Sequence, residues 1–222
     1  MSVPITATVL HYGLTCYEGM NVVKNIETGK LQSFRADEAL LQFLDSTNHL
    51  DMPLFDTREL YYCLKKLVET DISWFPESSV DRLGQMYVRA AHISMDPIMG
   101  VASPRNTRIF AVLAPTRLQS TPKELSLKCS DSHNKNWPLG HGQYTLGGNL
   151  GPLMPVIEDA KKNGFDDVLW LLDDYVQEMT VLNTFFVLIN RYNQLELVTP
   201  PDNGCILANT IRNSILQLKT QI

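Results

Sequence analysis

The 222-residue chain lacks most of the features that place a protein at a glance. No apolar run approaches the roughly 20 residues of a membrane-crossing helix, so no membrane span is expected. No Lys/Arg cluster is dense enough to follow a phosphate backbone. With a formal net charge of −5, nucleic acid is not an expected partner. Cysteine is sparse. Cys16, Cys63, Cys129 and Cys205 are scattered and include no CxxC pair, which points to free thiols in a reducing compartment. No metal site is expected. The first residues, MSVPITATVLHYG, lack the basic region and unbroken apolar stretch of a signal peptide, and they lack the arginines of a transit peptide. Cytoplasm is therefore the default expectation, with a mitochondrial location left open. There is no low-complexity tract and no internal repeat. What is present, 44% hydrophobic and 19% charged residues, fits an ordinary globular chain of one large domain or two small ones.

Periodicity divides the chain into two blocks. Residues 6–25 are rich in β-branched and aromatic side chains and predict one or two strands, with Thr28-Gly29 as a hairpin turn behind them. Residues 35–50 place Leu40, Leu41, Phe43 and Leu44 at helical spacing, with Asp37 as the expected N-cap. Residues 56–70 predict a second helix, capped by Asp56 with Glu59 three positions on. QMYVRAAHISM (85–95) and RIFAVLAP (108–115) predict buried strands. Between Pro115 and Trp137 periodicity fades, although LSLKC could form a short strand. Beyond it, 152–164 predicts a helix ended by Gly164, followed by strands at 167–173, 184–190 and 195–200 and a helix from Thr210. The expectation is a two-domain α/β (α+β) protein: a small N-terminal domain (1–115), a linker (116–136) and a partial second domain (137–222).

Between the two blocks lies HGQYTLGGNLGP (141–152), with Gly142, Gly147, Gly148 and Gly151 close together. Together with VLHYGLTCYEGM, FRADEALLQFLDSTNHLDMP, SWFP before a YVR strand, DDVLWLLDD, VTPP-x-NG-x-IL and IR-x-S-I-L, in that order nearly end to end, it resembles the branched-chain amino-acid aminotransferases. These are class IV, fold-type IV enzymes that use pyridoxal phosphate. The resemblance implies that fold, incomplete at both ends. It implies a lysine that forms an imine with the cofactor, a cationic phosphate site, and a carboxylate that keeps the pyridine nitrogen protonated. An apolar pocket would receive the branched side chain.

Carried over by position, Arg35 matches the arginine on the cofactor phosphate, although an ion pair with Asp37 or Glu38 would also account for it. Glu178 matches the carboxylate on the pyridine nitrogen; judged by its neighbours alone it would be an exposed turn residue. The amides of Thr210 and Ile211, at a helix start, match the phosphate donors. Tyr12, Tyr17, Tyr87 and Arg89 match substrate-pocket positions, where aromatic residues could equally be core.

The chain departs from the family where the chemistry is concentrated. The family pattern is Tyr-Lys-x-Gly-Gly-Asn-Tyr, and here it is Tyr144-Thr145-Leu146-Gly147-Gly148-Asn149-Leu150. A threonine hydroxyl forms no imine and is no base near neutral pH. The nearest lysine, Lys135, is ten positions away. Leu150 replaces the tyrosine at the ring oxygen, Thr180-Val181 replaces a Gly-Thr pair, and Ala208-Asn209 replaces a Pro-Gly pair. The resemblance also implies a later turn that binds the substrate carboxylate, and no match to it is expected within these 222 residues. The expectation is a catalytically impaired or inactive relative, a pseudoenzyme that pairs with itself or with a related aminotransferase and has lost covalent attachment of the cofactor. The alternative is an active transaminase of leucine, isoleucine and valine with 2-oxoglutarate, exchanging branched-chain amino and keto acids.

Overall fold

A computed structural model describes residues 1–25, 27–78, 82–119, 124–130, 132–207 and 209–219. The chain divides into two compact units, Met1–Lys123 with Thr145–Gly148, and Glu124–Tyr144 with Asn149–Ile222.

The first unit is a four-stranded antiparallel sheet with two helices. Its elements are α1 (Thr8–Tyr12), β1 (Thr15–Lys24), β2 (Leu31–Ser33), α2 (Ala36–His49), α3 (Thr57–Thr70), β3 (Arg82–Ser94) and β4 (Thr107–Gln119), with sheet order β2-β1-β3-β4. The register opposes Cys16 to His92, Gly19 to Arg89 and Met20 to Val88. Strand alternation therefore puts Cys16, Met20 and Val22 on one face, with His92, Val88 and Met86. Tyr17 and Gly19 fall on the other face, with Arg89. The first of these faces is buried by α2, whose Ala36, Ala39, Leu40, Phe43 and Thr47 recur at three- and four-residue intervals. Phe43 meets Phe55 and the edge of His92 at ring separations of 5.2 and 6.4 Å.

Three expectations for this half change. Thr8–Tyr12 is a short helix rather than a strand, closed by Gly13 in the left-handed conformation (φ 63°), and its Thr8 hydroxyl donates to Ser94 Oγ at 2.5 Å. Asp37 is not the cap of α2. That place belongs to Arg35, itself left-handed at φ 45°, and Asp37 lies in the first turn, where its charge complements the helix dipole. Residues 116–119 continue β4 past the expected strand end at Pro115, whereas LSLKC does form the short strand the sequence allowed, β5 (Leu127–Ser130). Asp56 does cap α3, accepting from the amides of Arg58 and Glu59 at 2.7 and 3.2 Å.

The second unit contains β5, α4 (Met154–Lys162), β6 (Asp167–Leu172), β7 (Tyr175–Met179), β8 (Phe186–Ile189), β9 (Leu195–Val198) and α5 (Thr210–Lys219). β5 and β6 pair in parallel through the α4 crossover, β7 returns antiparallel to β6, and β8–β9 form a separate hairpin. Leu153, Val156 and Ala160 pack on Val168 and Trp170, with Leu150 against the same cluster. β7 was not expected. Asp173 and Asp174, at φ 50° and 66°, make the two-residue turn that folds it back.

Asp56→Ala leaves the first amides of α3 without a side-chain acceptor. It should lower stability by about 1 kcal/mol in urea unfolding, with an unchanged denaturant slope.

Candidate functional site

Thr145 belongs to the first unit, together with the residues that follow it up to Gly148. The residue is 8% exposed. The Thr145 amide donates to Ser46 Oγ at 3.2 Å, the two hydroxyls lie 3.2 Å apart, and Tyr17 N–H donates to the Thr145 carbonyl at 3.0 Å. Leu146 adds a bridge to Cys16 at the margin of the sheet. Glycine is required beside it, because a Cβ on Gly147 would lie 2.3 Å from Thr15 Cγ2. Gly142 has an equivalent reason in the second unit, where a Cβ would meet Asn136 Cγ at 2.3 Å. At Gly148 and Gly151 a Cβ would meet nothing within 4 Å.

Across the face that carries Tyr17, the Arg89 guanidinium lies over the Tyr17 ring at 4.4 Å and the Tyr87 ring at 5.3 Å. Three of the four expected substrate-pocket residues thus share one patch. Tyr12 is on α1 and exposed. Burial pushes the Tyr17 hydroxyl above its ordinary value, with Arg89 opposing. Arg35 is engaged with Glu38, Nη1 to Oε1 at 2.8 Å, so the bland alternative for it is realised in the first unit.

Glu18 follows Tyr17 in the CYEGM stretch, and nothing in the local pattern marks it as functional. Burial pushes its carboxyl up to about 7, while the Gly19 amide at 2.8 Å and Arg89 pull the other way. Its Oε2 is buried with no hydrogen-bond partner among the described residues. Burial likewise disfavours the charged forms of the neighbouring thiol and imidazole. Burial raises Cys16 to about 11 and lowers His92 to about 4, and both lean on the Thr47 hydroxyl at 3.4 and 3.3 Å.

In the second unit Glu178 lies on β7, and it is buried rather than an exposed turn residue. Lys135 Nζ donates to Glu178 Oε1 at 2.7 Å and to the carbonyls of Met179 and Thr180 at 3.3 and 3.0 Å. Asn136 Nδ2 donates to the same Oε1 at 2.7 Å and to the Cys205 carbonyl at 2.8 Å. The Leu207 amide donates to Oε2 at 2.9 Å. Three acceptors match the three protons of an ammonium, and the carboxylate takes three donors. The Thr210 and Ile211 amides begin α5, capped by Asn209 Oδ1 accepting from Arg212 N–H at 3.0 Å. Ala208 lies outside the described residues. Of the other departures, Leu150 packs on the Trp170 cluster, Thr180 Oγ1 accepts from the Trp170 indole at 3.2 Å, and Val181 is exposed.

Among the described residues no group of three or more His, Cys, Asp or Glu could hold a metal, and no helix is long and apolar enough to cross a membrane.

No protein-family model matches the sequence. Individual proteins do. The chain is 36% identical to the branched-chain-amino-acid aminotransferase of Dictyostelium discoideum, over 100% of this chain and 58% of the relative. It is 36% identical to the mitochondrial one of Bos taurus (95% of this chain, 54% of the relative) and 32% to the cytosolic one of Mus musculus (97% and 56%). The chain thus spans little more than half the length of these relatives. Among solved structures, the branched-chain amino acid aminotransferase of Thermobaculum terrenum in its holo form superposes with a TM-score of 0.81 at 19% identity. That of Escherichia coli gives 0.79 at 21%. Each match covers 99% of this chain and 68% of the solved one, and together they establish the fold.

Two substitutions test these clusters. Lys135→Met strands a buried carboxylate and should cost about 3–5 kcal/mol in urea unfolding, with Lys135→Arg keeping most of the stability. Glu18 gives a pH signature. The folded chain keeps a proton that the unfolded chain releases above its ordinary value of 4.5, so wild-type stability falls as pH rises from there to about 7 and stays reduced above. Glu18→Gln removes that loss. Its stability relative to wild type should be higher at pH 8 than at pH 5 by about 2 kcal/mol, and equal differences at both pH values would refute the assignment.

Proposed function

The chain belongs to the branched-chain amino-acid aminotransferase family, spanning part of its relatives' length, and we propose that it has kept their scaffold and lost their reaction. One observation carries this reading: in the stretch that resembles the family's lysine motif the residue is Thr145, and its hydroxyl lies 3.2 Å from that of Ser46. When bound, pyridoxal phosphate supplies an aldehyde and an electron-accepting ring. The residues present fit that group only in part. Within the second unit, Glu178 offers a carboxylate for a ring nitrogen and the start of α5 at Thr210 and Ile211 offers amides to a phosphate. Nothing at position 145 fits the aldehyde, because a hydroxyl neither condenses with it nor carries a proton to and from a substrate carbon near neutral pH. Lys135 is no replacement, since an imine forms from an unprotonated amine and its three N–H groups are spent on three oxygens. The covalent attachment is therefore lost, and any cofactor is held non-covalently.

The activity that remains is binding. The chain acts as a pseudoenzyme that pairs with a copy of itself or with a related aminotransferase. The β8–β9 hairpin supports this, because Val187, Ile189 and Leu195 are exposed and an isolated two-stranded ribbon is marginal in water. Cytoplasm remains the expected location; the relatives include cytosolic and mitochondrial forms.

Incubation with pyridoxal phosphate, borohydride reduction and peptide mass mapping should find no specifically labelled lysine, and leucine with 2-oxoglutarate should give no glutamate. Glutamate formation tied to one labelled lysine would overturn the proposal in favour of an active transaminase of leucine, isoleucine and valine. Thr145→Lys alone should stay inactive, because Leu150 still replaces the ring-oxygen tyrosine. Turnover by that single variant would show that the lysine was the sole deficit.

A further inference from the structure

On the first unit, α3 stands off the sheet and leaves a cavity of about 110 Å³. Its interior is apolar: Met20, Val22 and Val88 from the sheet, Leu64 and Val68 from α3, all buried. These strand residues share the face of Cys16, opposite the face that carries Tyr17 and Arg89, so the cavity is separate from the expected substrate patch. Its mouth is polar and carries both signs of charge. Lys65 and Glu69, one turn apart on α3, stand at the rim near Ser33 with Nζ and Oε1 3.9 Å apart, their side chains 57% and 45% exposed.

We propose that this cavity is a second binding site and that it takes an aliphatic α-amino acid. The volume is somewhat below the ~150 Å³ of a dry hole that admits benzene, which leaves room for a branched four-carbon side chain and little more. An α-amino acid presents a carboxylate and an ammonium on one carbon, and the rim presents an ammonium and a carboxylate one helical turn apart. The Lys65–Glu69 contact is long and solvent-exposed, so it offers little resistance to exchange for a ligand's two charges. A simple fatty acid would satisfy Lys65 and meet repulsion from Glu69; a simple amine would do the reverse. Neither statement depends on whether the chain transaminates.

The test is equilibrium binding to the full chain, by calorimetry or by protein-observed NMR, with L-leucine, glycine and 4-methylpentanoate as probes. L-Leucine should bind saturably, glycine should show no binding for want of a tail, and 4-methylpentanoate should bind at least fivefold more weakly than leucine. Val68→Phe, which fills the hole, should weaken leucine at least tenfold. Lys65→Gln and Glu69→Gln, on exposed positions that leave the core alone, should each weaken it about fivefold even if Val68→Phe disturbs folding. Absence of saturable leucine binding would overturn the proposal. So would binding that survives Lys65→Gln and Glu69→Gln but disappears in Arg89→Ala, which would place the ligand on the opposite face.

Discussion

The second unit depends on one buried carboxylate. Glu178 is fixed by an ammonium from Lys135, an amide from the adjacent Asn136 and a backbone N–H from Leu207, so two segments far apart in sequence meet on it. A charge inside a protein is tolerated only when it is paired and its lone pairs are used. Here the pairing also decides local structure. It pins the irregular residues around 135 and the stretch approaching α5 onto the same end of β7. Gln177 reinforces it, donating to the Asn136 carbonyl at 3.1 Å, and Gly142 has no room for a side chain beside Asn136. The polypeptide leading to α5 is also held by the buried Cys205 and Ile206 and by Asn183, whose Nδ2 donates to the Leu207 carbonyl at 3.3 Å. The position that the resemblance matches to the cofactor carboxylate is thus, in this chain, a structural clamp.

The same economy governs the first unit. Strand alternation gives β1 and β3 two faces with different work. One is filled by α2 near Phe43 and left open under α3. The other gathers Tyr17, Tyr87 and Arg89. The chain then returns to this unit after residue 144, and Thr145 docks on Ser46 while Gly147 passes Thr15 with no room for a Cβ. A long, flexible, cationic side chain at 145 would have to leave the present hydroxyl contact, and burying its charge in place would be costly.

The parts of the fold that were legible from sequence are those written in local pattern. α2 and α3 follow from apolar spacing, and the cap of α3 follows from Asp56. β3 and β4 follow from their apolar runs. What was not legible depends on partners distant in sequence or on backbone conformation. β7 has no alternating pattern in VQEM, and its burial is explained by donors at 135, 136 and 207 that no local window contains. Thr8–Tyr12 has strand-like composition, yet an αL glycine closes it as a helical turn. Arg35 as a left-handed cap and Glu18 as a buried, partly unsatisfied carboxyl are likewise products of tertiary packing. The family resemblance singled out Glu178 where composition would have passed it by, and it named Arg89 and Tyr17 together. It did not reveal that Ser46 holds Thr145.

If the reaction is lost as proposed, the position of Thr145 bears on how such a scaffold persists. An imine-forming lysine must be partly buried, deprotonated and mobile, and those demands conflict with stability. Threonine at the same place removes the conflict, because a short hydroxyl next to Ser46 satisfies itself inside the unit. Leu150 makes the same exchange, giving up a polar handle for contact with the Trp170 cluster, and the Thr180 hydroxyl is turned to the Trp170 indole. At Thr145, Leu150 and Thr180 the side chain present makes a contact inside its own unit, whereas Val181 is exposed. The first three share a direction, and it is the direction expected when packing, rather than turnover, decides which side chain stays.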